Sequence, residues 1–198
     1  ATALSARNGL FKVKDGVYQV RGVDAANMTI LETATGYVII DPLMFKETAQ
    51  AAMDLVYTKI GRRPVQAVIY THSHGDHFGG VRGVITEADV KAGKIPIIAP
   101  DGFMRELLSE SVIAGPASGR RAQYHAGYYL KEDPRGLVGL GVALGHLEGT
   151  STFLAPTDAV TRSGETRRID GLDIEFQMVP ESEAPAEFNL YLPNSGCC

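Results

Sequence analysis

Val65-Gln66-Ala67-Val68-Ile69-Tyr70-Thr71-His72-Ser73-His74-Gly75-Asp76-His77-Phe78-Gly79-Gly80 joins a short apolar run to a polar loop. The first six residues have the β-branched, bounded character of a buried strand, so the histidines are expected at a strand's end, where α/β sites form. In an extended segment residues two apart face the same side, which lets His72 and His74 close on one cation. Gly75 permits a sharp turn, after which Asp76 and His77 point toward a second cation nearby. Imidazole with carboxylate suits zinc, or a similar borderline ion, better than calcium or magnesium. Three of the chain's five histidines fall in this one loop. A polar loop that merely caps a helix and binds water accounts poorly for that density.

Outward from the loop, the chain has 198 residues, 44% of them hydrophobic, and a formal net charge of −4. That length supports one sizeable core, or most of a larger one. Lys and Arg are dispersed, which argues against nucleic acid as a partner. No apolar run approaches the ~20 residues needed to span a bilayer. No charged-then-apolar leader opens the sequence, so any targeting segment is expected to have been removed or never included. The two cysteines, Cys197 and Cys198, are adjacent and terminal, which suits neither a disulfide framework nor a zinc knuckle.

Residues 9–22 alternate around Asp15-Gly16 and predict a β-hairpin. Two more strands are expected over residues 27–32 and 37–40, giving an antiparallel meander. Helical spacing over 45–60 ends at Gly61. After the metal loop come a short helix over 85–92, a buried strand over 96–99, and a helix over 102–112 that Asp101 could cap. Residues 114–149, rich in glycine and aromatics, are expected as an excursion from the main body. Strands are expected over 150–155, 159–161, 167–169 and 172–179, with Asp170-Gly171 as a hairpin turn, and over 188–192. His125 and His146 lack a second ligand at a useful offset and are left out of the metal site. Meander, interleaved helices and strands, then second meander predict an α+β sandwich of the αββα kind.

The motif HxHxDH after an apolar strand resembles the metallo-β-lactamase superfamily, whose members hydrolyse esters, amides and related bonds with one or two metals. Within it the segments GLFKVKDGVYQVRG, THSHGDHFGGVRG, IPIIAPDGFM, SGRRAQY, GETRRIDG and EAPAEFNLYLP resemble the alkylsulfatases, in order and spacing, from Gly9 to Pro193. The resemblance implies one catalytic domain over residues 1–198, incomplete after the third metal motif, with the insertion at about 114–149 shaping the substrate entrance and a homodimer contact. It implies two zinc ions per subunit in the complete protein, and hydrolysis of an alkyl sulfate to an alcohol and inorganic sulfate. A periplasmic or secreted bacterial location is suggested in the same way.

His72, His74, Asp76 and His77 match the superfamily's ligand motif, with Asp76 the residue on which hydrolysis is expected to depend most. The family's third motif follows a strand ending in proline, and aligning Pro180 puts Glu183 at the ligand position otherwise held by histidine. Glu181 stands where family members usually carry glycine. Glu187 is expected to face solvent or an arginine. Asp41 resembles the first-motif aspartate that buttresses the metal loop, its plainer reading being a cap on the next helix. Arg120 and Arg121 could meet a sulfate, although paired arginines usually form a solvated or salt-bridged face. Two other readings stay open: a thioesterase or lactamase of the same superfamily, against which Glu183 stands, and a non-catalytic metal-binding or assembly module.

Overall fold

Alternation around Asp15-Gly16 folds into β1 (Gly9–Lys14) and β2 (Val17–Arg21), an antiparallel pair whose turn uses Gly16 at φ 74. The computed structural model describes residues 7–139 and 148–193; His146, Cys197 and Cys198 lie outside the described residues. Strands β3 (Met28–Glu32) and β4 (Tyr37–Ile40) complete the meander. Helix α1 (Lys46–Ile60) then crosses over, so β5 (Val65–Ile69) returns parallel to β4, as a crossover connection requires. After the short helix α2 (Glu87–Lys91), β6 (Ile97–Pro100) and then β7 (Asp158–Val160) extend the parallel part, giving one seven-stranded sheet in chain order. β8 (Glu165–Ile169), β9 (Leu172–Met178) and β10 (Phe188–Tyr191) form a second, antiparallel sheet.

Both faces of the first sheet are buried, which is why β4 reads as an unbroken apolar run. On one face Ile30, Tyr37, Ile39 and Val68 pack with Ala49, Ala52, Met53 and Val56 of α1. On the other, Leu31, Val38, Ile40 and Ile69 pack with Ile174, Phe176 and Phe188 of the second sheet. Helix, sheet and sheet therefore stack as successive layers, and the α+β expectation holds. A staple joins the two sheets at one end: Asp170, in the β8–β9 turn, accepts hydrogen bonds from the Thr35 amide at 2.6 Å and the Thr33 hydroxyl at 2.7 Å. Among the described residues no helix is long and apolar enough to cross a membrane.

Residues 150–155 do not form the expected strand. Backbone groups of this stretch answer to single partners elsewhere and not to a neighbouring strand: Thr150 O accepts from Lys46 N at 2.9 Å, Thr152 N donates to Gly79 O at 2.7 Å and Leu154 O accepts from the Tyr70 hydroxyl at 3.1 Å. The helix expected over 102–112 is also different. It starts after Gly102 (φ 83) as α3 (Phe103–Leu107) without a side-chain cap from Asp101, then widens into a π turn over Leu108–Ile113. Within 114–149 a further helix, α4 (Gly115–His125), has no buried residue and carries Arg120, Arg121 and His125 on exposed positions. Leu108, Val112, Ile113, Tyr124, Tyr129 and Leu130 are exposed along the same stretch.

Candidate metal centre

The loop that carries the histidines is held on three sides. From the second sheet, Phe188 N donates to Thr71 O at 3.2 Å and His72 pairs with Glu187 in an isolated antiparallel bridge. From the first, Asp41 accepts the Thr71 amide at 2.9 Å on one oxygen and the Thr71 hydroxyl at 2.8 Å on the other. From below, the Phe78-Gly79-Gly80 turn lies directly on the backbone that leads into α1. A Cβ at Gly80 would stand 2.1 Å from Pro42 O, and one at Gly79 2.2 Å from Met44 O, so only glycine fits. The 3₁₀ turn Gly75–His77 then presents Asp76 and His77.

Asp41, and not a residue of α1, is the hub. Its Oδ2 also accepts from His77 Nδ1 at 2.8 Å. The plainer reading of Asp41 as a helix cap fails, because its oxygens are taken by Thr71 and His77; the approach to α1 is held instead by Asp24 of the β2–β3 connection, whose Oδ2 accepts from Met44 N and Phe45 N at 3.3 Å each and from the Thr48 hydroxyl. Asp24 is buried and carries no sequence signal for this role, since it acts across 21 residues on Phe45.

His72 Nε2 and His74 Nδ1 face each other at 3.1 Å. Thr71 Oγ1 gives its proton to Asp41, so at its 3.0 Å contact with His72 Nδ1 it accepts. His72 is therefore the Nδ1–H tautomer, and its Nε2 offers a lone pair toward His74. Burial first, then the neighbouring His77 charge, push the His72 pKa below its ordinary value and keep the ring neutral. Glu183 Oε1 completes the group, 3.8 Å from His72 Nε2 and 3.7 Å from His74 Nδ1. Two nitrogens held by one tetrahedral zinc stand roughly 3.3 Å apart for bond lengths of about 2.0–2.1 Å, so the donor set fits a divalent cation.

His77 lies against His72, with ring centroids 4.1 Å apart, and His72, His77 and Glu183 each bring a ligand atom within 4.8 Å of the others. His77 Nε2 is 3.4 Å from Asp76 Oδ2. Burial opposes a charge on His77, but the hydrogen bonds and charges of Asp41 and Asp76 outweigh it and raise the imidazole to about 10. Burial likewise opposes the Asp76 carboxylate, and its bond to His77 prevails, holding it below the ordinary value. The sequence separates His72 and His74 from Asp76 and His77 as two sites; the structure sets His77 beside both groups.

Glu187 is half-buried and bonded within its own loop, not to an arginine. Its carboxylate accepts from Ser182 Oγ at 2.7 Å, Glu183 N at 2.9 Å and Ala184 N at 3.0 Å, folding the loop that carries Glu183. Glu181 in that loop has φ 62, the conformation glycine takes without strain. A cleft of about 760 Å³ opens beside His72, His77 and Glu183.

Residues 21–165 match the family model described as the metallo-beta-lactamase superfamily. The chain is 53% identical over 185 residues to a linear primary-alkylsulfatase of a Pseudomonas species, which covers 93% of this chain and 27% of that protein. It is 49% identical over 190 residues to an alkyl/aryl-sulfatase of Saccharomyces cerevisiae, covering 96% of this chain and 29% of the other. The solved structure of a stereoselective inverting sec-alkylsulfatase from a Pseudomonas species superposes with a TM-score of 0.89 at 45% identity, over 98% of this chain and 31% of that one. The chain thus spans less than a third of the length of these relatives.

Proposed function

The chain belongs to the metallo-beta-lactamase superfamily, and from that premise we propose that it serves the metal-dependent hydrolysis of alkyl sulfate esters to an alcohol and inorganic sulfate. The observation that carries this reading is the trio of His72 Nε2, His74 Nδ1 and Glu183 Oε1, gathered within 3.8 Å in a chain 46–53% identical to three alkylsulfatases. His72, His74 and Glu183 hold a first zinc ion. Asp76 and His77 contribute to a second.

What such ions supply when bound is Lewis acidity: a lower pKa for water, and compensation of the charge that builds on sulfate oxygens. The residues of this chain set the conditions for that chemistry. Asp41 orients His77 through Nδ1 and leaves Nε2 toward Asp76. Glu183 adds a negative charge that softens the Lewis acidity of the first position relative to an all-imidazole set. Among the described residues only Asp76 and His77 serve the second position, so hydrolysis by these 198 residues alone is expected to be weak. Zinc content together with sulfate release from dodecyl sulfate tests the proposal, measured on the chain and on a longer protein that contains it. Zinc uptake with sulfate release by the longer protein supports it; turnover of a thioester or a β-lactam instead of the sulfate would redirect it to another branch of the superfamily.

A further inference from the structure

Glu110 reaches the histidine loop from outside the loop's own sequence. It lies on the π turn Leu108–Ile113, whose wide winding is marked by the bond from Ala114 N to Ser109 O at 2.9 Å. π turns of this kind recur at functional sites because the extra residue redirects a side chain. Here the redirected carboxylate accepts the hydroxyl of fully buried Ser73 at 3.2 Å, and the same oxygen stands 3.7 Å from His74 Nε2.

The two nitrogens of His74 therefore face two different things. Nδ1 looks at His72 Nε2 and Glu183, and Nε2 looks at Glu110. A ring that offers a lone pair at Nδ1 carries its proton on Nε2. Without an ion, the His72 lone pair and Glu183 call for a proton on Nδ1; with a cation on that side this demand is gone, and the Glu110 carboxylate facing Nε2 then favours the Nε2–H form. The group facing the far nitrogen of a metal-binding histidine commonly fixes ring orientation and basicity in this way. Ser73 keeps the Glu110 oxygen in place, since its hydroxyl has no exposure to water.

We propose that Glu110 is a positioning residue that holds His74 as the Nε2–H tautomer, with Nδ1 turned to the cation. This rests on the reading of His72, His74 and Glu183 as a metal site, though not on the identity of the substrate. It also ties the stretch from 108 onward to the metal loop, so a displacement of that stretch alters the presentation of His74.

The experiment compares the parent chain with Glu110→Gln and Glu110→Ala by two readouts. The first is zinc affinity of the metal-free chain, titrated against a chromophoric chelator. The second is the ¹⁵N spectrum of the zinc-loaded chain labelled at histidine, which reports which His74 nitrogen keeps its proton. Circular dichroism checks that each variant is folded. Glu110→Ala is expected to weaken zinc about 10- to 100-fold and to mix the tautomers of His74. Glu110→Gln, which keeps an acceptor oxygen, is expected to lose less affinity and to retain the Nε2–H form. Zinc affinity within about twofold of the parent in Glu110→Ala, or an unchanged tautomer in that variant, overturns the assignment. A parent chain that binds no zinc refutes the metal reading itself, and absence of alkyl sulfate turnover by a longer protein that contains the parent chain, with both readouts as expected, refutes only the substrate.

Discussion

Asp41 Oδ2 accepts a 2.8 Å hydrogen bond from His77 Nδ1 while its partner oxygen accepts the amide of Thr71 at 2.9 Å. One carboxylate thus fixes the beginning and the end of the histidine loop. Asp41 does so from φ 53, a conformation that costs a non-glycine residue about 1–2 kcal/mol and that the surrounding contacts hold in place.

The pair gives the metal-free chain a defined pH dependence. His77 is raised from its ordinary 6.5 to about 10 in the folded state. Its contribution to stability is complete below the unfolded value near 6.5 and is lost as pH rises through the folded value near 10. The stability of the metal-free chain to urea is expected to fall across that window by up to about 5 kcal/mol. Asp41→Asn, less stable at neutral pH, is expected to show a much shallower decline over the same range. Parallel curves for the two proteins would remove the pair from the account.

Glu183 and Glu187 are separated by what they touch. Glu183 Oε1 faces His72 and His74, whereas Glu187 is occupied with Ser182 and two amides of the loop. Glu183→Gln is expected to lose the first zinc preferentially, by at least about tenfold in affinity. Glu187→Gln is expected to lose less zinc and more thermal stability, since it loosens the loop. An equal or greater zinc loss in Glu187→Gln would overturn Glu183 as the ligand.

Asp76→Asn keeps the size and hydrogen-bonding reach of the side chain but removes its charge from beside His77. In a longer, active protein that contains this chain, it is expected to leave the circular dichroism spectrum unchanged and to reduce sulfate release at least about 100-fold, through loss of the second ion. Near-normal turnover would argue against two ions acting together.

Strands and hairpins were legible because their signals are local: alternation around Asp15-Gly16 and Asp170-Gly171 needs only the chain's own period of two. The histidine loop was legible by density, and the structure brings His72, His74 and His77 together with Glu183. What escaped are groups that act at a distance in sequence. Asp24 serves a helix start 21 residues on, and Glu110 reaches Ser73 across 37 residues through a π turn that no periodicity announces. Residues 150–155 carry a strand-like pattern, yet their amides and carbonyls answer to Gly79 and Lys46. Local pattern assigns an element only when its backbone groups are free to make a ladder.

Glu181 offers a direct measure of strain. Its φ of 62 costs a side chain that glycine lacks. Glu181→Gly is expected to stabilise the chain by about 0.5–1 kcal/mol, the strain relieved exceeding the entropy that glycine adds to the unfolded state. A lower midpoint in urea for the glycine variant would show that the Glu181 side chain makes a contact worth more than its backbone costs.

The histidines arise from one sheet and Glu183 from the other, and this division would give a bound ion a mechanical office. Asp41, Thr71, His72, His74 and His77 belong to one stretch whose bonds to Asp41 close loops of modest length, which cost little entropy. Glu183 arrives only when the second sheet docks. An ion held by the imidazoles and Glu183 together would be a latch between the sheets, complementing the Asp170 staple, which grips the same two sheets through hydroxyls and an amide. Chelation would therefore undo that latch alone: the sheets stay joined by Asp170, by the pairings of Phe188 with Thr71 and of Glu187 with His72, and by their shared core, and the Glu183 side chain is what it would release.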